Sequence, residues 1–308
     1  MKNSIKKKYR GLAKSGPLLL IALPGIIYLV INNYLPMFGV FLAFKEYDLV
    51  GGIFGSPWCG LKNFEYLFKA DAWLIMRNTI LYNLGFIVFG TIAAIGVAIL
   101  MFELAKKVRI KFFQSALLLP NLLSWVVIAF LGFAFLNSDT GFINNSIIAF
   151  FGGDKVSWYS TSKYWPVILT IVYLWKSVGI SSIIYTASIS GIDYSIFEAA
   201  KIDGATKLQQ IKYITLPMLK PTIIILTLMA VGKIFYSDFG LFYQVPMNSG
   251  ALFNVTQTID TYVYRGLMEL NDVGMSAAAA LYQSVIGFIL IISANALVKK
   301  LDSDNALF

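Results

Sequence analysis

Apolar and polar positions alternate along this chain on a scale of tens of residues, not of two or four. Six long apolar runs, at 17–44, 78–102, 113–136, 165–189, 221–236 and 276–298, are separated by polar stretches. A helix crossing the hydrocarbon core of a bilayer needs about 20 apolar residues, and all but the fifth run meet that length. The fifth is short enough that its end can be drawn past Asp238. The runs are continuous and do not follow the every-second-residue pattern of a membrane barrel, so they predict helices. The expected fold class is all-α, a polytopic membrane protein with six transmembrane helices.

Charge gives these spans an orientation. Lys2, Lys6, Lys7, Lys8, Arg10, Lys14, Lys106, Lys107, Arg109, Lys111, Lys201, Lys207, Lys212, Lys220, Lys299 and Lys300 fall on one side of the six runs. Only Lys45, Lys62, Lys69, Arg77, Lys155, Lys163 and Arg265 fall on the other. Basic loops stay in the cytoplasm, so both termini are expected there. The first run follows a basic leader, but it is far longer than the 7–15 residues of a signal-peptide core, and it reads as a retained anchor. Pro24 and Pro36 should kink it, since each removes a backbone donor. Residues 45–77 read as a structured loop at the membrane border, with Trp58, Phe64 and Tyr66 as aromatic anchors. Small residues allow helices to approach closely in lipid. Gly90, Ala94 and Ala98 in the second run, and Ser276, Ala280 and Ser284 in the sixth, form stripes expected to face other helices.

Composition agrees with this picture and removes several functions. Hydrophobic residues make up 58% of the 308, charged residues 13%, and mean hydropathy is +0.72. The net charge of +9 sits beside apolar runs and not in a basic stretch interleaved with stacking aromatics, so no nucleic-acid partner is expected. With no histidine and the single Cys59, a His/Cys metal site, an internal disulfide and histidine catalysis are excluded.

One polar stretch between the fourth and fifth runs does not fit a slack linker. At the head of "EAAKIDGATKLQQIKYITLPMLKP", Glu198 and Ser195 just before it have the spacing of a capping box. Gly204 occupies a position suited to a left-handed helix end, with Asp203 before it. A second short helix can begin near Thr206, carrying Leu208 and Ile211 on one face. Pro217 should end it, and Pro221 should open the fifth span. Ala199, Ala200, Gly204 and Ala205 leave little bulk around the turn, so a partner's surface can approach the backbone. A rigid docking element and an interfacial helix pair capping the bundle both fit these residues.

Glu198-Ala199-Ala200, Asp203-Gly204-Ala205, Leu216-Pro217 and Pro221 together resemble the EAA loop of binding-protein-dependent ABC importer permeases of type I. Ile211 departs from the pattern, standing where many members place an aromatic. "NNYLPMFGVFLAFKEYDL", "SPWCGLKNFEYLF" and "DTYVYRG" are similar to the subgroup that imports oligosaccharides derived from polysaccharides, and the resemblance covers nearly the whole chain.

The resemblance implies a type I permease fold in the cytoplasmic membrane of a bacterium. Residues 1–77 would comprise the N-terminus, first span and outer loop, 78–298 the permease core with its coupling loop at 191–220, and 299–308 a cytoplasmic tail. Glu198, Ala199, Ala200, Asp203, Gly204 and Ala205 would dock on a homodimeric ABC ATPase. ATP and magnesium would bind to that ATPase and no cofactor to this chain, because "AVGKIF" lacks the remaining residues of a phosphate-binding loop. The other implied partners are a second, similar permease forming a heterodimer, an extracytoplasmic solute-binding protein, an oligosaccharide and membrane lipid.

Ionisable residues inside spans are candidates for function. Lys176 and Lys233 would meet an acidic sugar, or pair with Asp238 or with the second permease, or simply pack. Asn121, Ser124, Trp125, Tyr173, Trp175, Tyr185, Tyr236 and Gln283 complete the candidate substrate path. An ion-coupled secondary transporter is the alternative reading; it would show an internal repeat with broken helices at matching places, and none is evident in the sequence. A membrane-embedded enzyme lacks paired acids or a base.

Overall fold

The computed structural model describes residues 16–68, 70–104 and 107–301. The basic leader from Lys2 to Lys14, Lys69, Lys106 and residues 302–308 of the expected tail lie outside the described residues, as do the side chains of Tyr66, Lys107 and Arg109. The described chain is helical, with one isolated β-bridge between Lys45 and Trp58. Its principal helices are α1 (Gly16–Leu29), α2 (Ala70–Phe102), α3 (Lys107–Leu122), α4 (Trp125–Leu136), α5 (Trp165–Ser190), α6 (Tyr194–Ile202), α7 (Lys207–Gln210), α8 (Leu216–Val231), α9 (Ile259–Glu269) and α10 (Val273–Leu301).

Leu20–Phe44, Ala72–Phe102, Ser162–Ser190, Lys207–Val231 and Val273–Lys300 are long and apolar enough to cross a bilayer. The expected third span needs correction. Lys111–Leu122 and Trp125–Leu136 form a sixth crossing only as a pair, bent by 94°. Pro120 removes a backbone donor near the end of α3, and Ser124 starts α4 afresh, its Oγ accepting from the Val127 amide at 3.3 Å.

The fifth span is also redrawn. Its helix is continuous from Lys207 to Val231, so neither Pro217 nor Pro221 bounds it, and it stops short of Tyr236. A π turn at Ile211–Thr215 precedes Pro217, which then stands in the first turn of α8, where a missing amide costs little.

The chain divides into two compact units. One comprises the described residues up to 65 with 272–281. Here α1 widens into a π turn at Val30–Tyr34 and tightens into a 3-10 segment at Leu35–Phe44. Pro24 precedes this change and Pro36 follows it. The segment after Phe44 is structured, as expected: the buried Lys45 ammonium donates to the carbonyls of Ile53 and Phe54 at 3.0 and 2.6 Å. Asn63 Nδ2 donates to Leu42, Ala43 and Lys45 carbonyls at 3.2, 3.1 and 2.8 Å, closing the end of the first span. Trp58 is exposed, and Phe64 packs on Phe44 with ring centres 5.5 Å apart.

The second unit holds 66–271 and the remainder of α10. One core cluster joins Phe86, Ile128, Trp165, Leu169, Leu241 and Phe242. Another joins Ala94 and Ala98 to Tyr185, Ile189 and Leu219, so the α2 stripe faces other helices as predicted. The α10 stripe is displaced by one residue. Ser276 is buried as expected, but Ala280 and Ser284 are exposed, and Met275, Ala279, Gln283 and Gly287 form the buried face. A Cβ on Gly287 would lie 2.8 Å from the Gly232 carbonyl oxygen, so the end of α8 meets α10 backbone to backbone.

Candidate coupling loop and transport path

The loop after α5 is built from short, capped pieces. Asp193 caps α6, its Oδ1 accepting from the Ser195 amide at 3.0 Å. The cap is therefore Asp193, in place of the Ser195–Glu198 box expected from spacing. The Ser195 amide, with help from its hydroxyl, holds the Asp193 carboxyl below its ordinary pKa. Gly204 has φ +83°, the left-handed end anticipated from sequence. Thr206 and Gln209 then form a reciprocal capping box at the start of α7.

Two contacts tie this loop to α2, beyond the spans that carry it in sequence. Phe197 is buried against Phe102 with ring centres 5.6 Å apart. Lys207 Nζ lies 2.8 Å from Glu103 just past the end of α2. The opposite face is open: Glu198, Ala199, Asp203 and Gly204 are exposed, Ala200 and Ala205 are half-buried beside them, and Ile202 and Leu208 are 86% and 78% exposed. Apolar side chains that protrude from a rigid, capped loop suit a partner surface, since nothing among the described residues covers them.

A second cluster forms where α3 breaks into α4. Lys176 stands near the middle of α5, and its Nζ donates to the carbonyls of Pro120 at 3.3 Å, Asn121 at 3.1 Å and Leu123. The Asn121 and Leu123 carbonyls lie where a helix end leaves acceptors over, that of Pro120 also accepts from the Leu123 amide at 3.3 Å, and a cation there favours the negative end of the helix dipole. The same ammonium lies 4.9 Å from the centre of the Trp125 ring. Trp125 in turn packs on Gly240, where a Cβ would fall 2.0 Å from its Cδ1. The Asp238 carboxylate interacts with both Trp125 and Lys176, and its Oδ1 accepts from the Gly240 amide at 3.0 Å. The fold thus gathers Asn121, Ser124, Trp125, Lys176 and Asp238 around one helix break.

Tyr173 and Tyr185 lie on a different surface. They line a cavity of about 200 Å³ between α2, α5 and α8, together with Thr91, Ser177 and Ser181. Tyr173 stacks on Phe86 with ring centres 3.8 Å apart. Hydroxyls beside an aromatic face can hydrogen-bond and stack on a sugar ring. The remaining candidates stand elsewhere. Trp175 and Lys233 are exposed, Tyr236 bonds Ser284 through their hydroxyls at 2.9 Å, and Gln283 donates to the Phe235 carbonyl at 2.7 Å.

Sequence reasoning passed over the polar side chains that secure the chain after α8. Asn83 Nδ2 donates to the Ile234 and Tyr236 carbonyls at 2.9 and 3.1 Å. Asp260 accepts from the Ser237 amide and hydroxyl at 2.6 and 2.7 Å. Asn78 donates to the Asn254 and Gln257 carbonyls, both at 3.1 Å. An asparagine within "TILYNLGF" was the available signal, because an amide in lipid needs partners.

Residues 87–303 match the profile of the binding-protein-dependent transport system inner membrane component family. The chain is 35% identical over 289 residues to the polygalacturonan/rhamnogalacturonan transport system permease protein YteP of Bacillus subtilis, covering 92% of this chain and 88% of that one. Protein LplB of the same organism is 32% identical over 289 residues, covering 93% and 90%. Among solved structures, a chain of a bacterial ABC transporter involved in import of the acidic polysaccharide alginate superimposes with TM-score 0.86 at 28% identity, covering 96% of this chain and 99% of that one. A chain of the bacterial alginate transporter in complex with an alginate pentasaccharide-bound periplasmic protein gives 0.85 at 28% identity, covering 95% and 97%.

Proposed function

Because the chain belongs to the binding-protein-dependent transport system inner membrane component family, we propose that it is the permease subunit of an ATP-driven importer of acidic, polysaccharide-derived oligosaccharides. The observation that carries this reading is the capped loop whose inner side is fixed to α2 by Phe197 and Lys207 while its outer side is bare. A separate homodimeric ATPase, which binds ATP and magnesium, docks on Glu198, Ala199, Ala200, Asp203, Gly204 and Ala205. Residues 78–298 form the permease core, and a second, similar permease completes the pathway. An extracytoplasmic binding protein delivers the sugar, a reading supported by the alginate transporter in complex with an alginate pentasaccharide-bound periplasmic protein.

The acidic character of the substrate is supported by the substrates named for the pectin-type relative and the alginate importer. It is also supported by a fixed ammonium, Lys176, near the middle of α5. Held by three carbonyls, Lys176 acts on a passing carboxylate through its field, not by direct grip.

The test is reconstitution of the permease pair, ATPase and binding protein in proteoliposomes with labelled oligogalacturonate. Uptake must require ATP and the ATPase. A cysteine at Ile202, in a background with Cys59→Ser, must form a disulfide with a cysteine placed in the ATPase groove. Uptake driven by an ion gradient without the ATPase would establish the secondary-transport alternative, which the broken α3–α4 span makes worth testing.

A further inference from the structure

At the end of α2 away from the 191–210 loop, Trp73, Arg77, Leu81, Gly85 and Phe89 follow one another at four-residue spacing. Trp73, Leu81 and Phe89 are 71%, 59% and 55% exposed, so this row is an outer face of the helix. Beside it runs a groove of about 370 Å³, closed on the far side by Pro166, Thr170 and Val255. Gly85 opens this groove: a Cβ built there would meet nothing nearer than the Phe89 ring at 3.9 Å.

The groove is apolar along its length and cationic at one end. Arg77 Nη2 donates to Asn78 Oδ1 at 3.0 Å and to the Asn254 carbonyl at 3.5 Å. Among the described residues it makes no ion pair, and no acidic side chain lines the groove. The Tyr82 hydroxyl is buried at the same groove without a hydrogen-bond partner. Trp73, one turn before Arg77, marks the level where indole rings settle between headgroups and hydrocarbon. From Arg77 to Phe89 the helix rises about 18 Å, close to the depth of one leaflet in a core of about 30 Å.

We propose that this groove binds one acyl chain of an anionic phospholipid, with the phosphate seated on Arg77. A guanidinium with free N–H groups matches phosphate oxygens in geometry. The absence of a lining carboxylate leaves nothing to hold the ammonium of a zwitterionic headgroup, which sets the preference for net negative charge. The proposal requires only that α2 and α5 cross the bilayer; it is independent of the transported sugar and of the ATPase.

The experiment uses the assembled transporter in detergent, exchanged into mixed micelles of phosphatidylglycerol and phosphatidylcholine, with bound lipid counted by native mass spectrometry. The wild-type complex should retain phosphatidylglycerol over phosphatidylcholine by about fivefold, the ratio expected of one basic contact. Arg77→Gln should bring that ratio to about one, and Arg77→Lys should keep most of it. Gly85→Leu, whose side chain has room, should lower retention of both lipids. A ratio unchanged in Arg77→Gln together with retention unchanged in Gly85→Leu overturns the site. So does a disulfide from a cysteine at Leu81 to the second permease, which would show that protein and not lipid covers the groove.

Discussion

Replacing Lys176 by methionine shortens the side chain by one atom and removes all its donors. The carbonyls of Asn121 and Leu123 then lose the ammonium as partner at a helix end, while that of Pro120 keeps the Leu123 amide at 3.3 Å. An acceptor left buried without a partner costs about 1–3 kcal/mol. Two such groups give an upper range of about 2–6 kcal/mol. Rewinding of α3 toward α4 can recover part of this, so we expect about 2 kcal/mol to remain. The assay is thermal unfolding of the assembled transporter alongside uptake of an acidic and a neutral oligosaccharide. Lys176→Met should unfold well below wild type and lose uptake of both sugars together. Lys176→Arg, which keeps charge and donors, should hold most of the stability. A methionine variant of wild-type stability that loses only acidic uptake would refute the capping role and make Lys176 a direct carboxylate reader.

Further outcomes follow from neighbouring geometry. Gly204, at φ +83°, should tolerate asparagine better than alanine or aspartate for folding; if a partner's surface approaches this turn, all three variants insert normally yet hydrolyse ATP without transport, and normal uptake by Gly204→Asp would argue against docking there. Glu103→Lys and Lys207→Glu should each reduce the sugar moved per ATP, and the double exchange should restore it; a double variant as poor as the singles would show that the pair carries no coupling. Gly179→Ala places a Cβ 1.9 Å from the Leu117 carbonyl oxygen, forcing α3 and α5 apart and lowering thermal stability by about 1–3 kcal/mol or more. Asp193 is held below its ordinary pKa by the Ser195 amide, so its cap is complete above the usual carboxylate range of about pH 4 and is lost only as pH falls through the lower folded value. Hydrogen exchange of α6 amides should therefore be insensitive to Asp193 titration from pH 8 to 5, unchanged in Asp193→Asn and faster in Asp193→Ala.

The physical signals in the sequence differ in range, and that decides what could be read from it. Apolar length located the spans because burial in lipid depends on composition over some 20 residues. Gly204 and Thr206 were legible because left-handed backbone and N-caps have strong residue preferences. Hydropathy is blind to helix direction, so 113–136 read as one span although Pro120 and Ser124 stand four residues apart at the bend. Pro217 misled in the other direction. Pro217 follows the π turn at Ile211–Thr215 without ending the helix, and Pro221 is likewise accommodated inside it. The displaced stripe on α10 came from following small residues alone; Gln283 on the true buried face is large and polar, and is buried because it bonds Phe235. Of the path candidates, polarity within a span picked out Lys176 and Asp238, but the carbonyls that Lys176 serves are invisible until the fold brings residues some 55 positions away to it.

The lysine at the heart of α5 also bears on how the protein is made. A lone ammonium at the centre of a nascent hydrophobic segment disfavours its partition from the translocon by about 2.5–3.5 kcal/mol. The carbonyls that accept it belong to a hairpin partner synthesised earlier, so they are already waiting at the lateral gate when Lys176 emerges. Release of the two segments as a unit is then expected, and internal deletion of residues 111–136 should leave α5 poorly inserted although its own sequence is unaltered.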